Sequence, residues 1–283
     1  METISIPEIA QLIDLAQYPI HDTEAPKTKA LFRIWADEFQ RTGACNLRGF
    51  VTEEGARLLA NEANKLQRVA YHRSGTFNFL FQEEVDASLP ANHPARRFWT
   101  TASTHLAADQ FDETSLLRHF YEWDAITELV ARIQGKPKLY RFADEFQAIN
   151  VIGLKEGQRT VFHHDDNECT VTLLLQAPEH GGEFVFGENT RTESGELDLD
   201  VIRRVMDGDP GVVKTLPRSA GTLTLFRGGC SIHGVTPVVG KRQRFTATLT
   251  YDTDPYRTGT LAANISFYGP RIQKILEQRA NNP

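Results

Sequence analysis

The sequence predicts an α+β fold in which helices pack on the outside of an antiparallel jelly roll. Two observations point there. Apolar periodicity is helical in the first part of the chain and changes near residue 139 to short β-rich runs bounded by Gly and Pro. The last of these runs, RQRFTATLTYD, alternates a polar set (Arg242, Arg244, Thr246, Thr248, Thr250) with a largely apolar one (Gln243, Phe245, Ala247, Leu249, Tyr251). On an ordinary sandwich the polar set would face water. In a hollow roll that holds charged ligands, it would face inward and the helices would cover the apolar side.

The elements follow in order within a single domain. Residues 1–138 read as a mainly helical region, 139–262 as the jelly-roll core and 263–283 as a C-terminal helix. A first helix runs from about Thr28, with Leu31, Trp35 and Phe39 on one face, and stops at Gly43. Thr52 caps a second, whose stripe is Ala56, Leu59, Ala63, Leu66 and Ala70. Ser115 to Ile133 makes a third, ended by Gly135. The expected strands lie in FQAINVIGL, TVTLLLQ, GGEFVFG, GVVKTLP, GTLTLF and RQRFTATLTYD. No internal repeat or Gly/Ser linker divides the chain.

A length of 283 residues with 40% hydrophobic content supports a sizeable core, and a net charge of -6 disfavours nucleic-acid and anionic-membrane partners. Small-molecule work is the expectation. The start METISIPEIAQLIDLAQYPIHD lacks the basic and apolar regions of a secretory signal, and no run is apolar enough to span a bilayer. Cys45, Cys169 and Cys230 are few, widely spaced and odd in number, as in a reducing compartment. A cytoplasmic location is therefore expected.

The chemistry is carried by TVFHHDDNECTVTLLLQ, where His-x-Asp precedes a strand. Residues two apart on a strand project to one side, so such a pair grips one ion. The segment holds the pair twice, as His163 with Asp165 and as His164 with Asp166. GTLTLFRGGCSIHGVTPV supplies a distant third ligand, His233. Two imidazoles and one carboxylate form the facial set that leaves positions open on iron(II). Arg244, on the polar face shortly after His233, is the preferred partner for a buried carboxylate, because guanidinium meets carboxylate with paired hydrogen bonds and keeps its charge. Arg242, beside the turn VVGKR, is the second candidate, and Asn150 either faces the same ligand or bonds within its strand.

HHDDNECTVTLLLQ, EHGGEFVF, GTLTLFRGGCSIHGVTPV and GKRQRFTATLTYD, in that order, resemble the iron/2-oxoglutarate oxygenase family that includes radical halogenases and hydroxylases of free amino acids. The resemblance extends upstream through GACNLRGFVTEEGARLLANEANKL, NHPARR and LYRFADEFQAINV, and so covers most of the chain. It implies a double-stranded β-helix of cupin-like type, with iron(II), 2-oxoglutarate and O2 as metal and cosubstrates. It selects His163 and Asp165, because the family's Asn-Glu pair then falls on Asn167 and Glu168. Halogenating members carry Gly or Ala where Asp165 stands, so hydroxylation with release of succinate and carbon dioxide is the implied reaction.

The implied substrate is a free amino acid, for which Asp166, Thr248 and Thr250 are candidate contacts, with Arg96 and Arg97 as candidate anchors for its carboxylate. Thr160, where the family pattern is aromatic or imidazole, and the insertion ENTRTESGELDLDVIRRVMDGDPG point away from basic amino acids. The rival is a cupin-like protein that binds or isomerises a ligand without activating oxygen; it would not need a buried cation for a second carboxylate.

Overall fold

A computed structural model describes residues 9–281; the first eight, part of the stretch read for a targeting signal, and the last two lie outside the described residues. Eleven principal strands build two facing antiparallel sheets: β1 Ala44–Leu47, β2 Tyr71–Phe77, β3 Trp99–Ala107, β4 Ile149–Leu154, β5 Thr160–His163, β6 Thr170–Gln176, β7 Phe184–Gly187, β8 Lys214–Leu216, β9 Leu223–Phe226, β10 Ile232–Val235 and β11 Arg244–Leu249. The major sheet has the order β1-β9-β6-β11-β4-β3-β2, and the minor sheet β8-β7-β10-β5. This is the double-stranded β-helix expected, but three of the seven major strands come from before residue 139. The N-terminal region thus contributes sheet as well as helix.

Pro26 opens the first helix, α1 (Pro26–Thr42), and Gly43 closes it at φ 72°, donating its N–H to the Phe39 carbonyl. In α2 (Glu53–Leu66) the Thr52 hydroxyl accepts the Gly55 N–H at 3.0 Å, and the helix ends at Leu66, short of Ala70. The third expected helix is two. Trp123, extended at φ -72° and ψ 119°, separates α3 (Leu116–Glu122) from α4 (Asp124–Gln134). The insertion forms α5 (Leu199–Met206) against the minor sheet, with Ile202 and Val205 in a cluster with Phe79 and Ile232. The C-terminal segment is also two helices, α6 (Leu261–Tyr268) and α7 (Arg271–Asn281), parted by Gly269 and Pro270. No helix among the described residues is long and apolar enough to cross a membrane.

The strand alternation decides which side is inside. Val151, Val171, Leu173, Leu223, Leu225, Phe245, Ala247 and Leu249 join Phe39, Leu59, Phe120 and Leu129 of the helices in one core. Each such aliphatic side chain contributes about 1.5–3 kcal/mol on burial. The opposite face of the same strands carries Thr224, Arg244, Thr246 and His105, all under 9% exposed. Of the polar set, Arg244 and Thr246 therefore face the interior of the roll and are buried there, Thr248 and Thr250 are half-buried, and Arg242 is exposed.

Candidate active site

His163 ends β5 and His233 lies on β10, directly opposite each other in the antiparallel register, with ring centroids 4.3 Å apart. Asp165 follows two residues after His163, and its Oδ1 is 3.3 Å from His163 Nε2 and 3.5 Å from His233 Nε2. Donors at right angles around an ion with bonds of roughly 2.1 Å would stand about 3.0 Å apart, so this set is close to a facial one. Both imidazoles are oriented through Nδ1, which lies 2.8 Å from the Val161 carbonyl in His163 and 3.0 Å from the Ser231 carbonyl in His233. That bond places the proton on Nδ1 and leaves the Nε2 lone pairs for a metal. Burial opposes ionisation of Asp165, but His233 and His163 outweigh it and hold the carboxyl well below its usual range. The same charge raises His233 against its burial.

The carboxylate is itself fixed. Its Oδ2 accepts the Thr170 hydroxyl, the Asp165 N–H donates to the Gly228 carbonyl at 3.0 Å, and Arg191 donates to the Asp165 carbonyl. Gly228 leaves the room for it: a Cβ there would stand 1.8 Å from Oδ2. Phe184 stacks on His233 at 5.5 Å, and Phe226 meets the same ring edge-on at 5.2 Å. His164 points away from this set, with Nε2 2.9 Å from the Thr190 hydroxyl, and burial pulls its pKa to about 3. Among the described residues, His163, Asp165 and His233 are the group of donors placed so that they could hold a metal ion.

Deeper in the roll, Arg244 begins β11 at 3% exposure. Its Nε donates to the Gly182 carbonyl at 3.0 Å and its Nη1 to the Thr246 hydroxyl. Arg242 is exposed in the preceding turn, with its guanidinium on the Pro178 carbonyl at 3.0 Å. A second interior guanidinium, which sequence reasoning missed, belongs to Arg218. Burial, with the like charge of Arg244 added, pulls it to about 9, and burial pulls Arg244 to about 10. Among the described residues neither forms an ion pair, and Arg218 Nε is buried without a partner. Two enclosed cations and an orphaned donor fit an anionic cosubstrate beside the metal.

The remaining candidates divide. Asn150 lies opposite Thr248 on the inner face, and its Oδ1 is buried without a partner. Thr250 has its hydroxyl donated to the Gln147 carbonyl at 2.9 Å. Asp166 is exposed and lines an open cleft of about 790 Å³ with His164, Arg191 and Arg227. Phe81 lines the same cleft and lies 5.3 Å from the His163 ring, so its ring stands between the cleft and the candidate donors, none of which lines the cleft. Arg96 instead donates to the Leu89 carbonyl, and Arg97 pairs with Asp207 at 2.6 Å. Both guanidiniums are thereby engaged in anchoring the loop before β3.

Sequence reasoning also missed Arg73 and His105, on strands assigned to the helical region. Arg73 lies between the rings of Phe77 at 5.1 Å and Phe267 at 5.4 Å. His105 has Nε2 2.9 Å from the Ser103 hydroxyl and Nδ1 unpartnered. Burial, then the charge of Arg73, lowers its pKa to about 4. The signal available was period two: Tyr71, Arg73, Gly75 and Phe77 alternate with exposed residues.

Residues 27–264 match the family model described as Halogenase D, and no curated protein matches the chain. Among solved structures, the alpha ketoglutarate dependent carbocyclase SnoK from nogalamycin biosynthesis is similar at 14% identity and a TM-score of 0.57, covering 83% of this chain and 89% of its own. The epimerase SnoN, solved with Fe3+, alpha ketoglutarate and nogalamycin RO, is similar at 17% identity and a TM-score of 0.54, with 83% and 90% covered. AviO1 from Streptomyces viridochromogenes gives 14% identity and a TM-score of 0.53, with 81% and 97% covered. The family match spans both sheets and every residue of the candidate metal group, so the chain belongs to the Halogenase D family, and its fold is the one shared by these alpha ketoglutarate dependent enzymes.

Proposed function

We propose that the protein hydroxylates a free amino acid, using iron(II), 2-oxoglutarate and O2. The observation that carries hydroxylation over halogenation is Asp165, whose Oδ1 stands among the two Nε2 atoms while Thr170 holds Oδ2. An anionic side chain built into the donor set occupies the position a halide would need and disfavours a second anion. Iron(II) with 2-oxoglutarate and O2 supplies an oxidant for an unactivated C–H bond, with succinate and carbon dioxide as coproducts.

The chain's own residues bind and orient. His163, Asp165 and His233 would hold the metal, and the buried Arg244 would receive the far carboxylate of 2-oxoglutarate. Phe184, Phe226 and Phe81 wall the metal group and limit water around the reacting carbon. Arg73, held between two rings on the inner face, supports a substrate with a carboxylate, and Asp166 in the cleft supports one with an ammonium. Together they favour an amino acid. A cupin-like binding protein without oxygen activation would gain nothing from two enclosed guanidiniums that form no direct ion pair among the described residues.

The test is turnover against a panel of free amino acids in high chloride, followed by succinate release and product mass. Substrate-dependent succinate with a product heavier by one oxygen supports the proposal. A chlorinated product would overturn the hydroxylase assignment, and succinate formation with peptides but no free amino acid would overturn the substrate class.

A further inference from the structure

Arg218 lies in the turn PRSAG between β8 and β9, a position where an arginine ordinarily reaches into water. Here it turns inward. Its guanidinium lies 5.8 Å over the Phe184 ring, the ring that stacks on His233, and its Nη2 donates to the Thr172 hydroxyl at 2.9 Å. Register places Thr172. It is opposite Thr248 of β11 and Thr224 of β9, one inward position from Thr170, which holds Asp165, and one from Leu174, which faces Thr246. Inward positions on a strand are about 6.6–6.8 Å apart. Arg218 therefore meets the sheet between the metal end, marked by Thr170, and the Arg244 end, marked by Thr246.

The donor count is equally specific. A guanidinium offers five N–H groups. Arg218 spends one on Thr172, and Arg244 spends one on Gly182 and one on Thr246. Arg218 Nε is buried with no acceptor at all, and Arg244 is the charged group that Arg218 feels most. Two like charges enclosed together with donors left over, and with only the exposed Glu183 carboxylate raising Arg244, are costly unless an anion joins them. A ring fixes one guanidinium and a backbone carbonyl the other, so neither is arranged to escape.

Resting on the oxygenase reading above, we propose that Arg218 is a second cosubstrate-binding residue, which with Arg244 clamps the far carboxylate of 2-oxoglutarate and so makes the site select dicarboxylate over monocarboxylate 2-oxo acids. The occupant is an anion with two carboxylates: one end reaches the metal and the other receives two guanidiniums. Arg218 acts on binding alone and takes no part in bond making.

The experiment compares 2-oxoglutarate with 2-oxobutyrate, which keeps the 2-oxo acid but lacks the second carboxylate. Both are titrated calorimetrically, without O2, into the iron(II)-loaded wild type, Arg218→Gln and Arg218→Lys. In Arg218→Gln the preference for 2-oxoglutarate should fall about tenfold or more, with 2-oxobutyrate affinity little changed, because a charge-assisted bond to the second carboxylate is lost. Arg218→Lys, which keeps the charge but not the fork, should recover part of that preference and serves as the decisive variant if the glutamine protein does not fold. Equal weakening of both ligands, or no weakening, would reduce Arg218 to a packing residue on Phe184 and overturn the proposal while leaving the oxygenase reading intact. A wild type that binds neither 2-oxo acid would overturn both.

Discussion

Substituting Gly228 with alanine tests how the metal carboxylate is held. The new Cβ would lie 1.8 Å from Asp165 Oδ2 and 2.6 Å from Cγ, whereas real Cβ atoms essentially never approach a heavy atom within 3.0 Å. Gly228 is not among the glycines with positive φ, so alanine meets no backbone penalty and the contact is the whole perturbation. The turn cannot easily retreat, because Asp165 N donates to the Gly228 carbonyl and Arg191 donates to the Gly229 carbonyl. The carboxylate must move by more than about 1 Å, well beyond the roughly 0.2 Å tolerance of a coordination bond. It also leaves the Thr170 hydroxyl. Disturbing the support of a ligand costs about 10–100-fold in metal affinity, or about 1.4–2.7 kcal/mol. Iron(II) affinity measured without O2 by competition with a chelator, alongside a melting curve to confirm folding, reads this directly. Thr170→Val should shift affinity in the same direction by less, since it removes one hydrogen bond and adds no clash. Wild-type iron affinity in a folded Gly228→Ala protein would refute the placement of Asp165 in the donor set.

His163→Ala and His233→Ala should each abolish stoichiometric iron binding, read by metal analysis after desalting; retention of iron in both would remove the assigned group. Arg244→Leu should weaken 2-oxoglutarate binding by about 2–5 kcal/mol, much of it from stranding a buried carboxylate, whereas Arg242→Leu should leave the dissociation constant unchanged because its guanidinium is on the Pro178 carbonyl. His105 should make the fold acid-sensitive: its folded pKa of about 4 is below the unfolded value, so the unfolded chain binds the proton first and stability falls as pH drops from about 6.5 towards 4, by up to about 1.4 kcal/mol per pH unit. Denaturant titrations of His105→Gln across that window should show a slope shallower by that amount, and an unchanged slope would mean that His105 is not buried neutral.

Much of the site was legible because it depends on spacing along single strands. His163 and Asp165 are two apart at a strand end, and Arg244, Thr246 and Thr248 share one face of β11 by alternation alone. Arg218 and Arg191 reach the site from a turn and from the insertion, where no periodicity says which way a side chain points. Arg73 lies on a strand that alternates with period two and His105 on one whose burial does not alternate, and both sat among segments whose strong helical stripes dominated the reading of the N-terminal region. The break at Trp123 was likewise hidden, since the residues on both sides of it continue a helical pattern.

The amino-acid sequence by itself determined the fold class through periodicity and motifs in order along the chain, while spacing left the donor pair open between His163 with Asp165 and His164 with Asp166. The tertiary structure alone decided that the polar strand face turns inward at Arg244 and Thr246, that His163 and His233 stand opposite each other, that Arg244 is inside and Arg242 outside, and that Arg218 joins it. The physical reason is common to all four. Strand alternation specifies two faces but not which one is inward, and only the closing of one sheet over the other, under the helices that cover the apolar side, settles which charges lose their water.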